Sequence, residues 1–315
     1  MGNCYWRRQV FEYHSLIGWW HVPELYARVP LGQTYHRVIT NEVGMRSERN
    51  YPKIQPQGRK RITFLGDSYT AGDGVSNGDR FTDLLERRYT HLDALNFGLN
   101  GSGTDQQLLI FESMAREYEV DAVVICVCIE NIARNLYSCF PSLDWREQIA
   151  TYRPKPYFSF SGETLELRNT PVSKERRLAD ELGDWHCTFP YIGGENDAYA
   201  IYKDANGIHW QTMKAILRRL LSSVSEMPVF IVPMPMYNHY LGELDPTYMP
   251  RFMELEDPVN QVHVLNLLPA MQAVPLKERQ GFRFPDDPHY TAAAHLLVAD
   301  TIAHQLALHV PNLFD

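Results

Sequence analysis

A chain of 315 residues, 44% hydrophobic and 22% charged, is long enough to bury a full core, and it fits one large α/β domain with additions. The formal charge of -8 and the lack of any lysine or arginine block exclude a surface that tracks nucleic-acid phosphates. No run reaches the roughly 18 apolar residues of a membrane span.

In chain order, Gly2 and Cys4 stand where dual acylation would use them, but Trp6 occupies the place where the myristoylation motif needs Ser or Thr. No apolar stretch of signal-peptide length follows. The five cysteines, Cys4, Cys126, Cys128, Cys139 and Cys187, are an odd number without disulfide-like spacing, which predicts reduced thiols and a cytoplasmic protein. Residues 1–60 are rich in aromatics, including Phe11, Trp19, Trp20 and Tyr35. Alternation over 35–40 and a turn-like 41–44 predict a hairpin or two in an N-terminal extension packed on the core.

Residues 62–65 form a short, partly β-branched apolar run suited to a buried strand, and it stops at Gly66-Asp67-Ser68. A serine therefore sits just past a strand's C-terminal end, on the rim where open α/β sheets bind ligands. Asp79 is a candidate N-cap for a helix whose Phe81, Leu84, Leu85 and Tyr89 share a face. A strand over 94–97, a loop over 98–103 and a helix over 106–118 come next. The nearly continuous apolar run 120–129 reads as a central parallel strand covered on both faces. Regularity is lost over about 133–207, where prolines, aromatics and charges mark an insertion with a small hairpin around Ser161-Gly162, outside the core and suited to a lid or binding loop. Alternation resumes with a helix over 209–225, strands over 229–234 and 262–267, and a closing alanine-rich helix over 291–308. Strands alternating with helices predict right-handed crossovers and a mostly parallel sheet in a three-layer α/β/α sandwich.

Four blocks at predicted strand ends, in this order, resemble those of the SGNH (GDSL-type) hydrolases: G-D-S-Y-T-A-G at 66–72, N-F-G-L-N-G at 96–101, I-E-N at 129–131 and D-D-P-H at 286–289. The resemblance implies the flavodoxin-like fold of that family over residues 61–315. It also implies a catalytic nucleophile at Ser68, a base at His289, and an oxyanion hole formed by the backbone N–H groups of Ser68 and Gly101 with the Asn131 side-chain amide. Serine needs such a base within hydrogen-bond reach, itself oriented by a third group. Two acids compete for that third place. Asp286 has the D-x-x-H spacing of the larger family. Asp287 matches relatives with D-G-H followed by an aromatic and a second histidine, here D-P-H-Y-T-A-A-A-H, and Pro288 stiffens its turn, so Asp287 is the expected acid. The third block departs from the commoner G-x-N-D, with Ile129 and Ile132 flanking Glu130-Asn131.

Other chemistries fit less well. Among 12 histidines there is no H-E-x-x-H, no C-x-x-C accompanies them, and His289 and His295 would not share a helix face, so neither metal nor cofactor is expected. The loop at 98–103 lacks the Lys and Ser or Thr of a P-loop, and Cys128 reads as a small core residue rather than a nucleophile. The expected function is a serine esterase acting on a small acyl ester, such as an O-acyl group on a sugar or secondary metabolite. An acyltransferase using the same serine, and a catalytically silent binding protein on the same fold, are the alternatives.

Overall fold

The structure, a computed structural model, describes residues 10–32, 34–144, 149–186, 200–224 and 227–314. Its centre is a five-stranded, all-parallel sheet of β1 (Lys60–Gly66), β2 (Leu92–Gly98), β3 (Ala122–Cys128), β4 (Val229–Met234) and β5 (Val262–Val264), in the order β2-β1-β3-β4-β5. That order is the flavodoxin-like one, with its switch point between β1 and β3. The register aligns Asn96, Phe64, Val124, Phe230 and His263 across the sheet. Ile62, Phe64 and Leu65 are wholly buried, as a strand covered on both faces requires. Each contributes about 1.5–3 kcal/mol by leaving water.

Two pairs of helices cover the sheet. The helices α2 (Phe81–Arg88) and α5 (Ala292–His309) pack together, as do α3 (Thr104–Ser113) and α4 (Ile208–Ser223). Right-handed crossovers put the two pairs on opposite faces. The α2 start differs from the Asp79 expectation. Arg80 holds the cap position without a side-chain cap, and Asp83 instead accepts from the Gly78 N–H and the Arg80 guanidinium. An arginine pairing inside the first turn replaced the expected aspartate cap.

The segment before β1 forms two antiparallel hairpins, Phe11–His14 with Gly18–His21 and Tyr26–Leu31 with Thr34–Ile39. Ile17, Trp19 and Trp20 join the main core, and each indole finds an acceptor: Trp19 donates to the Asn100 carbonyl at 2.9 Å and Trp20 to the Val43 carbonyl at 2.8 Å. Gly44 is required where it sits, because its φ is +79° and a Cβ would lie 2.5 Å from the His21 carbonyl. Trp6 lies outside the described residues.

The mid-chain segment supplies two more hairpins, Cys139–Asp144 with Ile149–Pro154 and Tyr157–Phe160 with Leu165–Arg168, the latter turning at Ser161-Gly162. Contrary to expectation, part of it belongs to the interior. Phe158 and Tyr202 are core residues, and the fully buried Lys155 ion-pairs with Asp105 beneath the sheet's rim. Lys155 also donates to the Arg134 carbonyl at 3.1 Å, and such partners are what make a buried ammonium tolerable. A second correction concerns the cysteines. Cys139 is disulfide-bonded, so the step from cysteine spacing to a reducing compartment does not stand. Cys4 and Cys187 lie outside the described residues. Cys126 and Cys128 are buried free thiols, and burial pushes Cys126 up to about 12.

Candidate active site

β1 ends at Gly66, and the chain turns at once into a short helix, α1 (Ser68–Ala71), whose first residue is Ser68. Asp67 caps it by accepting from the Tyr69 N–H at 3.0 Å. Ser68 Oγ donates to Nε2 of His289 at 2.8 Å, and Nδ1 of His289 donates to Oδ1 of Asp287 at 2.6 Å. The same carboxylate oxygen accepts from the His289 backbone N–H at 2.9 Å, so the D-P-H turn fixes its own acid. Asp286 is exposed and reaches neither the imidazole nor Ser68. Tyr69 ties the two halves together, donating from its hydroxyl to the Pro288 carbonyl at 2.9 Å.

Electrostatics follow from these contacts. Burial opposes the charged form of His289, but the hydrogen bond to Asp287 and the nearby charges of Asp73, Asp287 and Asp67 outweigh it and raise the imidazole above its usual range. Burial likewise opposes Asp287 ionisation, and the His289 contacts overcome it to hold the carboxyl low.

The loop after β2 is pinned beside the Ser68 turn, with the Leu99 N–H and Ser102 Oγ both donating to the Gly66 carbonyl, at 3.0 and 3.3 Å. Gly101 in this loop has φ +76°, and a Cβ there would lie 2.5 Å from the Phe140 ring, so a side chain is excluded twice over. Among the described residues, the backbone N–H groups of Ser68 and Gly101 have no hydrogen-bond partner. Asn131, after β3, donates from its amide to Oδ2 of Asp67, which leaves one amide hydrogen unused among the described residues.

Sequence reasoning gave Asp67 no task, though an acid just before a short helix is a readable cap signal. It joins nucleophile turn and amide, and burial, its largest influence, raises its carboxyl. Arg46 was missed as well. Its guanidinium, buried, donates to the carbonyls of Ala71, Gly72, Arg37 and Val75 and to Oδ1 of Asn77, thereby clamping the Ser68 turn from the N-terminal segment.

Ser68, Gly101 and His289 open onto a cavity of about 340 Å³. Its walls come from both additions: Phe11, His21, His36, Val38 and Arg46 from the N-terminal segment, and Arg134, Phe140 and Arg153 from the segment after β3. Burial first, and the Arg46 charge second, pull His36 down to about 4, so it is neutral, and neither ring nitrogen has a partner. Of the mid-chain aromatics, Phe140 lines the cavity, Trp185 carries Arg177 against its face, and Trp145 and Tyr191 lie outside the described residues. His295 is buried under Phe81, accepts from the Phe81 N–H and is pulled by burial to about 3, a packing role. Among the described residues, no cluster of three or more His, Cys, Asp or Glu could hold a metal ion, and no helix is long and apolar enough to cross a membrane.

Comparison with known proteins bears on this arrangement. The sequence model of the GDSL-like Lipase/Acylhydrolase family matches residues 64–297. No curated protein matches the chain. Among solved structures, the chain is similar to a lipase/acylhydrolase from Enterococcus faecalis (16% identity, 78% of this chain and 95% of that one, TM-score 0.45). It is also similar to the psychrotrophic esterase EstA from Pseudoalteromonas sp. (14%, 80% and 99%, TM-score 0.46) and to a member of the lipolytic G-D-S-L family from Veillonella parvula (12%, 78% and 97%, TM-score 0.45).

Proposed function

Since the chain belongs to the GDSL-like Lipase/Acylhydrolase family and is an ester-bond hydrolase, we propose that it is a serine esterase that cleaves a small acyl ester through an acyl-enzyme on Ser68. The observation that carries this reading is the unbroken relay Ser68 Oγ to His289 Nε2 and His289 Nδ1 to Asp287 Oδ1. Ser68 attacks the ester carbonyl while His289 takes its proton through Nε2. Asp287 holds the Nδ1–H tautomer and stabilises the imidazolium that forms. The negative charge gathering on the carbonyl oxygen is met by the N–H groups of Ser68 and Gly101 and by the free amide hydrogen of Asn131, with no donor having to reorganise at that moment. Collapse expels the alcohol, protonated by His289. Water, activated by the same imidazole, then releases the acid.

A cavity of about 340 Å³ lies at the small end of ligand sites and suits a short acyl group on a compact alcohol, such as an O-acylated sugar or secondary metabolite. The working units in this reading are the segment 1–60 as a wall-building extension and 61–315 as the hydrolase domain, with its insertion at about 133–207.

A fluorophosphonate probe tests the nucleophile. Peptide mapping should place the label on Ser68, and Ser68→Ala should abolish both label and turnover of p-nitrophenyl esters. Labelling that persists in Ser68→Ala would defeat the assignment. Turnover that appears only with an added alcohol would point to the acyltransferase.

A further inference from the structure

Asp73, Asp287 and the Arg46 cation all act on His36 at one wall of the cavity beside Ser68. Arg153 lines the cavity from the mid-chain hairpin. It pairs across its hairpin with Phe140, whose ring packs on Gly101, and its guanidinium lies 3.7 Å from the ring centre of Trp19, the indole that donates to the Asn100 carbonyl.

The three arginines of the cavity differ in what they already hold. Arg46 is saturated by four carbonyls and Asn77. Arg134 donates to the Ser102 carbonyl and lies 4.0 Å from Asp67. The Arg153 side chain has neither a hydrogen bond nor a carboxylate among the described residues, and its Nε is buried without a partner. Burial first, and the charge of Arg176 second, lower its guanidinium to about 9, as expected of an uncompensated cation. A guanidinium stacked on an indole is held in place with its fork unused, the form in which proteins present arginine to a carboxylate.

Geometry also says which part of the ester would carry the anion. The alcohol leaves by taking a proton from His289 Nε2, so it must lie on the histidine side. With the carbonyl oxygen held by the Gly101 N–H, the acyl chain is left the remaining wall, which carries Phe140 and Arg153. Building on the esterase reading, we propose that the acyl group of the substrate ends in a carboxylate seated on Arg153, so that the enzyme hydrolyses half-esters of short dicarboxylic acids.

Monoethyl adipate and ethyl hexanoate have equal acyl length and differ by that one charge, and a pH-stat follows both. The wild type should prefer the adipate ester in kcat/KM by about tenfold to a hundredfold, the range of a charge-assisted hydrogen bond. In Arg153→Met that ratio should collapse toward one, through KM, and Arg153→Lys should restore part of it. Because a ratio cancels any general loss of active protein, a wild-type ratio near one, or one unchanged in Arg153→Met, overturns the proposal. 4-Acetoxybenzoate, which puts the charge on the alcohol, should gain nothing over phenyl acetate. A gain there overturns the acyl-side assignment.

Calorimetric binding of free adipate separates this inference from the esterase reading, since it needs no turnover. Binding by wild type that weakens about tenfold or more in Arg153→Met supports the site, and no binding by wild type overturns it.

Discussion

On the rim of the parallel sheet the side chains pair with one another, whereas two of the wall side chains keep nitrogens open. On the rim, Ser68, His289 and Asp287 satisfy one another at 2.6 to 2.8 Å, and Asp67 holds Asn131 and caps the nucleophile helix. On the walls, among the described residues, His36 has no partner for either nitrogen and Arg153 none for its Nε. A buried polar group left open costs on the order of 1–3 kcal/mol unless something binds it. The rim is therefore built to react and the walls to receive, and the two should respond differently to substitution.

The sharpest break in that contrast comes at the acid. Asp287→Asn should lower kcat on the order of ten-thousandfold, because the imidazole would lose both its tautomer and its countercharge. Asp286→Asn should change it little, and stopped-flow assay of both, with circular dichroism to establish folding, reads the difference. Equal losses at the two positions would remove Asp287 from the rim. Next in size is Asn131→Ala, expected to cost about a hundredfold or more in kcat with KM nearly constant, since an oxyanion exists only after attack. A change confined to KM would move Asn131 to the wall side of the comparison.

The pH profile sharpens the comparison further. On the esterase reading His289 is the base and works only when neutral, and its neighbours raise it above 6.5. The rate should thus climb with pH through a midpoint above 6.5, falling about tenfold per unit below it. His36, pulled to about 4, should leave no inflection between pH 5 and 8. Loss of that midpoint in His36→Gln, with His289 intact, would contradict this division. The smallest effect belongs to Phe140→Ala. Opening the wall over Gly101 should shift the preference between acetyl and hexanoyl esters toward the longer chain, on the order of tenfold. An unaltered preference would mean that Phe140 serves packing alone.

The rim was far more legible in the sequence than the walls. Each rim block is a strand end followed by a turn with its own local chemistry, and the stiff Asp287-Pro288-His289 turn pointed to the acid that the imidazole reaches. The parallel sheet was readable for a similar reason, since strands such as Ala122–Cys128 are apolar throughout. The walls depend on contacts between segments far apart in the chain. Nothing near Arg46 says that it will clamp Ala71 and Gly72, and nothing near Arg153 names Trp19 as its platform. The Lys155–Asp105 pair was hidden in the same way, because a lysine among prolines reads as surface until its partner across the rim is known. Cysteine spacing failed at Cys139 because a disulfide depends on where the backbone brings two thiols, which spacing in a scattered set does not encode.

Ser68 and His289 are 221 residues apart in the chain and a hydrogen bond apart in space. During synthesis Ser68 is therefore made long before the imidazole it reaches. At about 5–20 residues per second, roughly 11–44 s separate the two. Once Asn131 has been made, a nascent chain can carry the Ser68 turn, the Gly101 loop and Asn131 and still lack the imidazole that Ser68 reaches. On the esterase reading, a ribosome stalled before the D-P-H turn would hold an inert chain.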